Sequence, residues 1–274
     1  MKKFVLFSKS MWSEAPRLRH QITNMLRSHG HQVEFFQKPL FPHQTESLQD
    51  LGRVDETLRT HQTRQLLHAQ LRLHPALAYL NAAFEKQSIR RAARDVVAAT
   101  DVVVNFNYDY FFLRDLFPKN KIVTVINDDF VAQAKFLQGE HVRWALGRTC
   151  QISDVVLTVS YPLMDQLSEW TSPVLFLPWA DSPYIAPDLE AERNAVFLWA
   201  HIDRRIDFEL LDAAAKARPN YAFHIVGPVA ADVQASLDRL VSDNANVVAV
   251  PSKKLNELPL SSFFASIIPY KKHV

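Results

Sequence analysis

Short apolar runs alternate with helix-length amphipathic stretches along most of the chain. Residues 4–7, 32–36, 101–105, 121–126, 154–159 and 174–177 read as strands, each brief and rich in β-branched or aromatic side chains. Runs this continuous suit strands covered on both faces, and spacers of crossover length between them predict a parallel α/β sheet. A helix is expected over 13–29, stopped by Gly30. Residues 37–63 are polar and Pro-bounded and predict a loop with a short helix. Residues 64–99 are mostly helical with a break near Pro75; Leu73, Leu77, Leu80 and Phe84 form a stripe at spacings of four, three and four, which predicts core. His61, His68 and His74 do not stand at ligand spacing, and with Arg64, Arg72, Arg90, Arg91 and Arg94 they predict a solvated face.

The clearest unit is 195–228, AVFLWAHIDRRIDFELLDAAAKARPNYAFHIVGP, a strand, a helix and a second strand. Asp207 is the expected N-cap, Glu209 sits in the first turn, Phe208, Leu211 and Ala215 share one face, and Pro219 stops the helix. Such a βαβ unit closes right-handed. After it come a helix over 229–241, a strand over 246–250, a short helix over 255–265 and a strand over 266–270. The Pro-rich stretch 178–187, PWADSPYIAP, reads as a linker. The expected architecture is therefore α/β, with two Rossmann-like parallel-sheet domains in tandem, 1–182 and 183–274, the second incomplete.

Composition narrows the function classes. With 274 residues, 48% hydrophobic, 22% charged and a formal net charge of +2, the chain suits two soluble domains, and charge points to no nucleic acid partner. A single cysteine, Cys150, rules out an internal disulfide framework and a Cys-based metal knuckle, which fits a cytoplasmic setting. No run approaches a membrane span, and FVLF after Met1, Lys2 and Lys3 is too short for a signal sequence, so any membrane contact is expected to be peripheral. The five glycines, at 30, 52, 139, 147 and 227, cannot form G-x-G-x-x-G or a Walker loop. H-E-x-x-H, G-x-S-x-G and D-x-D are missing as well, so neither a metal nor a cofactor is expected.

Candidate chemistry gathers where strands end, since ligands of open α/β sheets bind beyond the carboxyl ends of the strands. The loop after the first strand and the turn that follows hold Lys9, Trp12, Glu14, Arg17, Arg19 and His20. These cationic and aromatic groups suit an acceptor or a phosphate; the plainer alternative is a solvated turn with Trp12 as a hydrophobic staple. Asp128 and Asp129 end the 121–126 strand, where one carboxylate can serve as a base while the other caps a helix; equally, both can cap a helix beginning near Phe130. In the βαβ unit, His201, Asp203, Arg204 and Arg205 occupy the loop after the first strand, which suits an anionic ligand.

SDVVLTVSYPLMDQL (153–167), FLPWADS (176–182), VFLWAHIDRRIDFELL (196–211), FHIVGP (223–228) and NELPLSSFFASIIPY (256–270) resemble, in this order, the motifs of bacterial GT-B glycosyltransferases of the GT4-like group. The stretch 11–39, MWSEAPRLRHQITNMLRSHGHQVEFFQKP, is similar to relatives in polysaccharide biosynthesis. The resemblance implies transfer of a sugar from a nucleotide-diphospho-sugar, held by the C-terminal domain, to a polysaccharide or lipid-linked acceptor held by the N-terminal domain, in a cleft between them. It implies donor binding by His201, Arg204, Arg205, Gly227, Lys253 and Lys254, with Arg205 at the diphosphate; the strand-end reading adds Trp12, Arg17 and Arg19 at the acceptor and Asp128 or Asp129 for catalysis. Ala200 and His201 stand where the family has glycine and arginine. Relatives continue past IIPY with two further strands, an acidic donor ligand and a terminal helix, so the resemblance implies a C-terminally truncated enzyme. The alternative is a non-catalytic GT-B-like binding or scaffolding protein. A nicotinamide-dependent oxidoreductase would need a glycine-rich first turn that neither domain has.

Overall fold

An apolar run becomes a central strand where both faces of its sheet are covered. The computed structural model describes residues 1–14, 17–45, 52–134, 138–177, 193–253 and 257–271, and its contacts divide the chain into two units, Met1–Asp181 and Ser182–Val274. The linker expected at 178–187 lies outside the described residues.

In the first unit the order is β1 (Lys3–Phe7), α1 (Leu18–Ser28), β2 (Gln32–Phe36), β3 (Gly52–Arg53), β4 (Leu58–His61), α2 (Pro75–Ala92), α3 (Arg94–Ala98), β5 (Val102–Asn105), α4 (Leu113–Leu116), β6 (Lys121–Ile126), α5 (Gly139–Ile152), β7 (Val155–Thr158), α6 (Tyr161–Leu167) and β8 (Val174–Leu175). The sheet order is β3-β4-β2-β1-β5-β6-β7-β8, with every pairing parallel except that of the short β3 with β4. Central β1 buries Val5, Leu6 and Phe7 on alternating faces, in two separate core clusters. Each such side chain contributes about 1.5–3 kcal/mol of burial.

Three expectations are corrected here. The stretch 37–63 contains β3 and β4 rather than only a loop with a short helix. Leu58 and Thr60 bury one face of β4 beside β2, a pattern too short and polar to stand out in sequence. The Leu73, Leu77 and Leu80 stripe is not core: these side chains are 51%, 39% and 53% exposed, while α2 buries Ala78, Asn81, Ala82, Glu85 and Ile89. The inward side also carries Asn81 and Glu85, because buried partners await them there. Nor are His61 and Arg72 on a solvated face; both are buried. The helix α1 also begins later than expected, with Arg17 at its N-cap.

His61 explains its burial through Glu34, whose Oε2 accepts from His61 Nε2 at 2.6 Å, while Lys3 Nζ lies 3.1 Å from Glu34 Oε1. Burial pushes the Glu34 carboxyl up, but the hydrogen bonds from His61 and Lys3 outweigh it and leave it below its ordinary value. A carboxyl lowered by folding stabilises the fold above its unfolded pKa of about 4.3 and loses that contribution as pH falls through the folded value. Denaturant melts from pH 7 to pH 3 should therefore lose stability at the acid end, and Glu34→Gln should flatten that limb. An unchanged acid limb in the variant would refute the assignment.

The second unit runs β9 (Ala195–Trp199), α7 (Phe208–Ala217), β10 (Ala222–Val226), α8 (Gln234–Asp243), β11 (Val247–Val250) and β12 (Phe263–Ser266). Its sheet is parallel throughout, ordered β11-β10-β9-β12. Asp207 caps α7 as expected, accepting from the Leu210 N–H at 2.9 Å. The end of the chain differs from expectation. In place of a helix over 255–265 the described residues show a tight turn at Leu260–Ser262, and the strand is Phe263–Ser266 rather than 266–270. Phe263 decides the placement, packing at 4.7 Å on Phe197 of β9.

Candidate functional site

Each sheet reverses its direction of growth once, and the crevice beyond the strand ends at that point is where an open α/β sheet takes a ligand. The reversal falls between β1 and β5 in the first unit and between β9 and β12 in the second. The loops after these four strands are the candidate sites.

In the first unit, Lys9 follows β1 and its Nζ donates to Asp109 Oδ1 at 2.6 Å, lying 5.2 and 5.7 Å from the ring centres of Tyr108 and Tyr110. Arg72, only 4% exposed, donates to Asp109 Oδ2 at 2.7 Å, to Gln65 Oε1 at 2.8 Å and to the Leu67 carbonyl. Its Nη2 also lies 3.4 Å from Glu85 Oε1, which accepts from Asn81 Nδ2 at 2.6 Å. Burial raises the Asp109 carboxyl, but Lys9 and Arg72 pull it below its ordinary value. For Glu85 burial wins over Arg72, and its carboxyl is pushed up. Lys9, Asp109, Arg72 and Glu85 thus form one linked buried cluster in which Asp109 is the anion shared by both cations. Sequence reading missed Arg72 and Glu85 as members, because their partners are remote in sequence.

The proposed acceptor residues separate in this structure. The Trp12 ring packs against His20 and Phe35 at 5.1 and 5.2 Å, which commits it largely to the core, and its backbone N–H donates to Gln37 Oε1. Arg17 is exposed, 3.7 Å from Glu14. Arg19 is half-buried over the Phe106 ring, and Nη1 donates to Ser8 Oγ at 3.4 Å. Of the two acids after β6, Asp129 caps a turn rather than a helix, accepting from the Ala132 N–H at 2.9 Å. Asp128 is half-buried, and its Oδ2 accepts from Asn127 Nδ2 at 2.9 Å. It is the carboxylate left without a capping role.

In the second unit the loop 200–207 is fastened from within and along both sides. Ile202 and Ile206 are fully buried, which turns the residues between them outward. Ile202 N donates to the Pro228 carbonyl, Ala230 N to Ile202, Lys271 N to Arg205 and Asp207 N to Pro269. Asp203 accepts from Arg205 Nε and Nη2 at 3.0 and 2.8 Å, and the Arg205 guanidinium lies 5.3 Å from the Tyr270 ring centre. The Arg205 side chain and its backbone N–H hold the Asp203 carboxyl below its ordinary value. His201 Nδ1 is 3.6 Å from Asp203 Oδ2, and Arg204 is exposed. Gly227 follows β10 with φ +146° against the Ala200 carbonyl. Trp199, at the end of β9, is 43% exposed with Nε1 donating to the Lys253 carbonyl at 2.9 Å; the sequence reading took it only as a strand residue. Lys253 is exposed, and Lys254 lies outside the described residues.

Among the described residues no three His, Cys, Asp or Glu side chains are grouped to hold a metal ion, and no helix is long and apolar enough to cross a membrane. No family model and no curated protein matches the sequence. Solved structures do match. One is Anabaena HepE in complex with UDP and glucose, with a TM-score of 0.58 at 10% identity, covering 97% of this chain and 73% of that one. Another is WaaG, a glycosyltransferase involved in lipopolysaccharide biosynthesis, with a TM-score of 0.56 at 14% identity over 91% of this chain and 70% of that one. A third is a glycosyltransferase from Rickettsia africae, with a TM-score of 0.54 at 12% identity over 92% of this chain and 68% of that one. With two Rossmann-like parallel-sheet units in tandem along the chain, the protein has the GT-B fold of these glycosyltransferases.

Proposed function

We propose that the protein is a glycosyltransferase that moves a sugar from a nucleotide-diphospho-sugar to a polysaccharide or lipid-linked acceptor. The observation that carries this reading is the likeness over 97% of the chain to a structure that holds UDP and glucose. The C-terminal unit would take the donor at its reversal point. Arg204 is exposed for the diphosphate, and Arg205 reaches it by exchanging Asp203, a partner in a half-exposed pair worth little in water. Trp199 offers an aromatic face, tied through its Nε1 to the backbone carbonyl of the exposed Lys253, and His201 lies in the same loop. For an inverting reaction Asp128 is the base. It takes the acceptor hydroxyl proton, the acceptor oxygen bonds to the anomeric carbon, and the bond from that carbon to the diphosphate oxygen breaks. The departing oxygen keeps the electron pair and leaves on the nucleoside diphosphate.

Calorimetry with UDP and uridine tests the donor site. UDP should bind more tightly than uridine, and Arg205→Ala should weaken UDP by about tenfold or more with little change for uridine, as befits a charge-assisted contact. Equal losses for the two ligands would remove Arg205 from the diphosphate, and no binding of any nucleoside diphosphate would end the reading. A non-catalytic binding protein is the second reading, favoured by the pairing of Arg205 with Asp203 and Tyr270. Binding of UDP-sugars without release of UDP would select it.

A further inference from the structure

Arg19 differs from every neighbouring cation of the first unit's crevice in how its charge is answered. Lys9 and Arg72 share Asp109, and Arg17 approaches Glu14. Arg19 has no ion pair among the described residues. Among those residues its one side-chain hydrogen bond is the long contact to the Ser8 hydroxyl, and its buried Nε finds no partner. Its guanidinium borders residues that follow two strands, Ser8 after β1 and Phe106 after β5, which is the reversal point of the sheet.

The helix that carries it adds to the imbalance. The first turn of an eleven-residue helix favours negative charge, yet α1 has no acid there, and its N-cap and first turn hold Arg17, Arg19 and His20. Burial, and next the Arg17 charge, lower the Arg19 pKa, so the chain holds this cation under strain; Asp128 and Glu14 oppose the shift only through space. Unsatisfied buried donors are rare and call for a partner. A carboxylate or a phosphate fits the planar fork of a guanidinium in two parallel hydrogen bonds.

We infer that Arg19 receives an anionic group of the acceptor, a carboxylate or a phosphate on the sugar, at the crevice between β1 and β5. This rests on the transferase reading and names the class of its acceptor. Arg19 is then a binding residue whose cost to the fold is offset only when the acceptor is present.

The test uses the whole chain with glucuronate, glucose 6-phosphate, glucose and UDP as probes, by calorimetry and thermal melting. At least one anionic sugar should bind about tenfold or more tightly than glucose, and which one answers separates carboxylate from phosphate. Arg19→Gln should lose that preference and leave UDP affinity unchanged, and Arg19→Lys should retain part of it. The melting temperature of Arg19→Gln should equal or exceed that of the parent, since a half-buried charge without an ion pair is removed together with its unpartnered Nε. Equal binding of glucose and both anionic sugars, a preference that survives Arg19→Gln, or a lowered melting temperature in that variant would each overturn the inference. If UDP binds and neither anionic sugar does, the inference fails and the transferase reading stands; if UDP also fails to bind, that reading falls first.

Discussion

Asp109→Asn should destabilise the N-terminal unit by about 3–5 kcal/mol, the usual result of taking one partner out of a buried ion pair. Among the described residues Asp109 is the one group that joins Lys9 to Arg72, at 2.6 and 2.7 Å. Without its charge, a nearly inaccessible guanidinium keeps only amide and carbonyl oxygens and a carboxyl that burial pushes towards its neutral form. Arg72→Met should be milder in part, because it removes the buried charge together with its need for a partner, although it leaves Asp109 to Lys9 alone. Glu85→Gln should cost far less than either, because it exchanges a carboxyl already driven towards neutrality for a neutral amide. Urea unfolding of the three variants checks the order. If Glu85→Gln proves as damaging as Asp109→Asn, the cluster is held by the Glu85 charge and the argument is wrong.

Gly227→Ala should damage the C-terminal unit by about 3 kcal/mol or more, combining backbone strain with overpacking. The added Cβ would sit 1.8 Å from the Ala200 carbonyl oxygen, at a φ of +146° that side chains rarely adopt. Relief requires the ends of β9 and β10 to separate, which breaks the Ala200 N–H bond to Val226 and the Ile202 N–H bond to Pro228. The candidate donor loop begins there, so nucleotide affinity should fall with stability. Gly30→Ala is the control: φ is +75° and nothing lies within 4 Å of the added atom, so only local strain of about 1–2 kcal/mol is expected. Calorimetric unfolding of both variants decides the matter. A Gly227→Ala cost no greater than that of Gly30→Ala would show that the loop yields easily.

The two candidate sites were legible in the sequence to different degrees. Around 200–207 the pattern is local: Ile202 and Ile206 bury, the residues between them face out, and Asp207 caps the next helix within three residues. Around Lys9 it is not. Asp109 lies 100 positions from Lys9 and 37 from Arg72, and no window on the chain contains the three together. The resemblance to sugar transferases pointed to Arg205 as a phosphate ligand, whereas the structure adds that it is already engaged by Asp203 and Tyr270.

By itself the sequence determined most strands, the parallel α/β class, the stop at Gly30 and the cap at Asp207, since each rests on burial or hydrogen bonding among residues close in the chain. Only the tertiary structure decided which side of α2 faces inward. A leucine stripe at helical spacing ordinarily wins that contest, but Asn81 and Glu85 had to reach Arg72 and the Leu66 and Leu67 N–H groups, and leaving those polar groups buried without partners costs more than exposing Leu77 and Leu80. The same reason placed β4 and β12. Neither tetrapeptide has a pattern strong enough to declare itself, and each became a strand because an edge of a sheet, β2 in one unit and β9 in the other, offered its backbone the hydrogen bonds it needed.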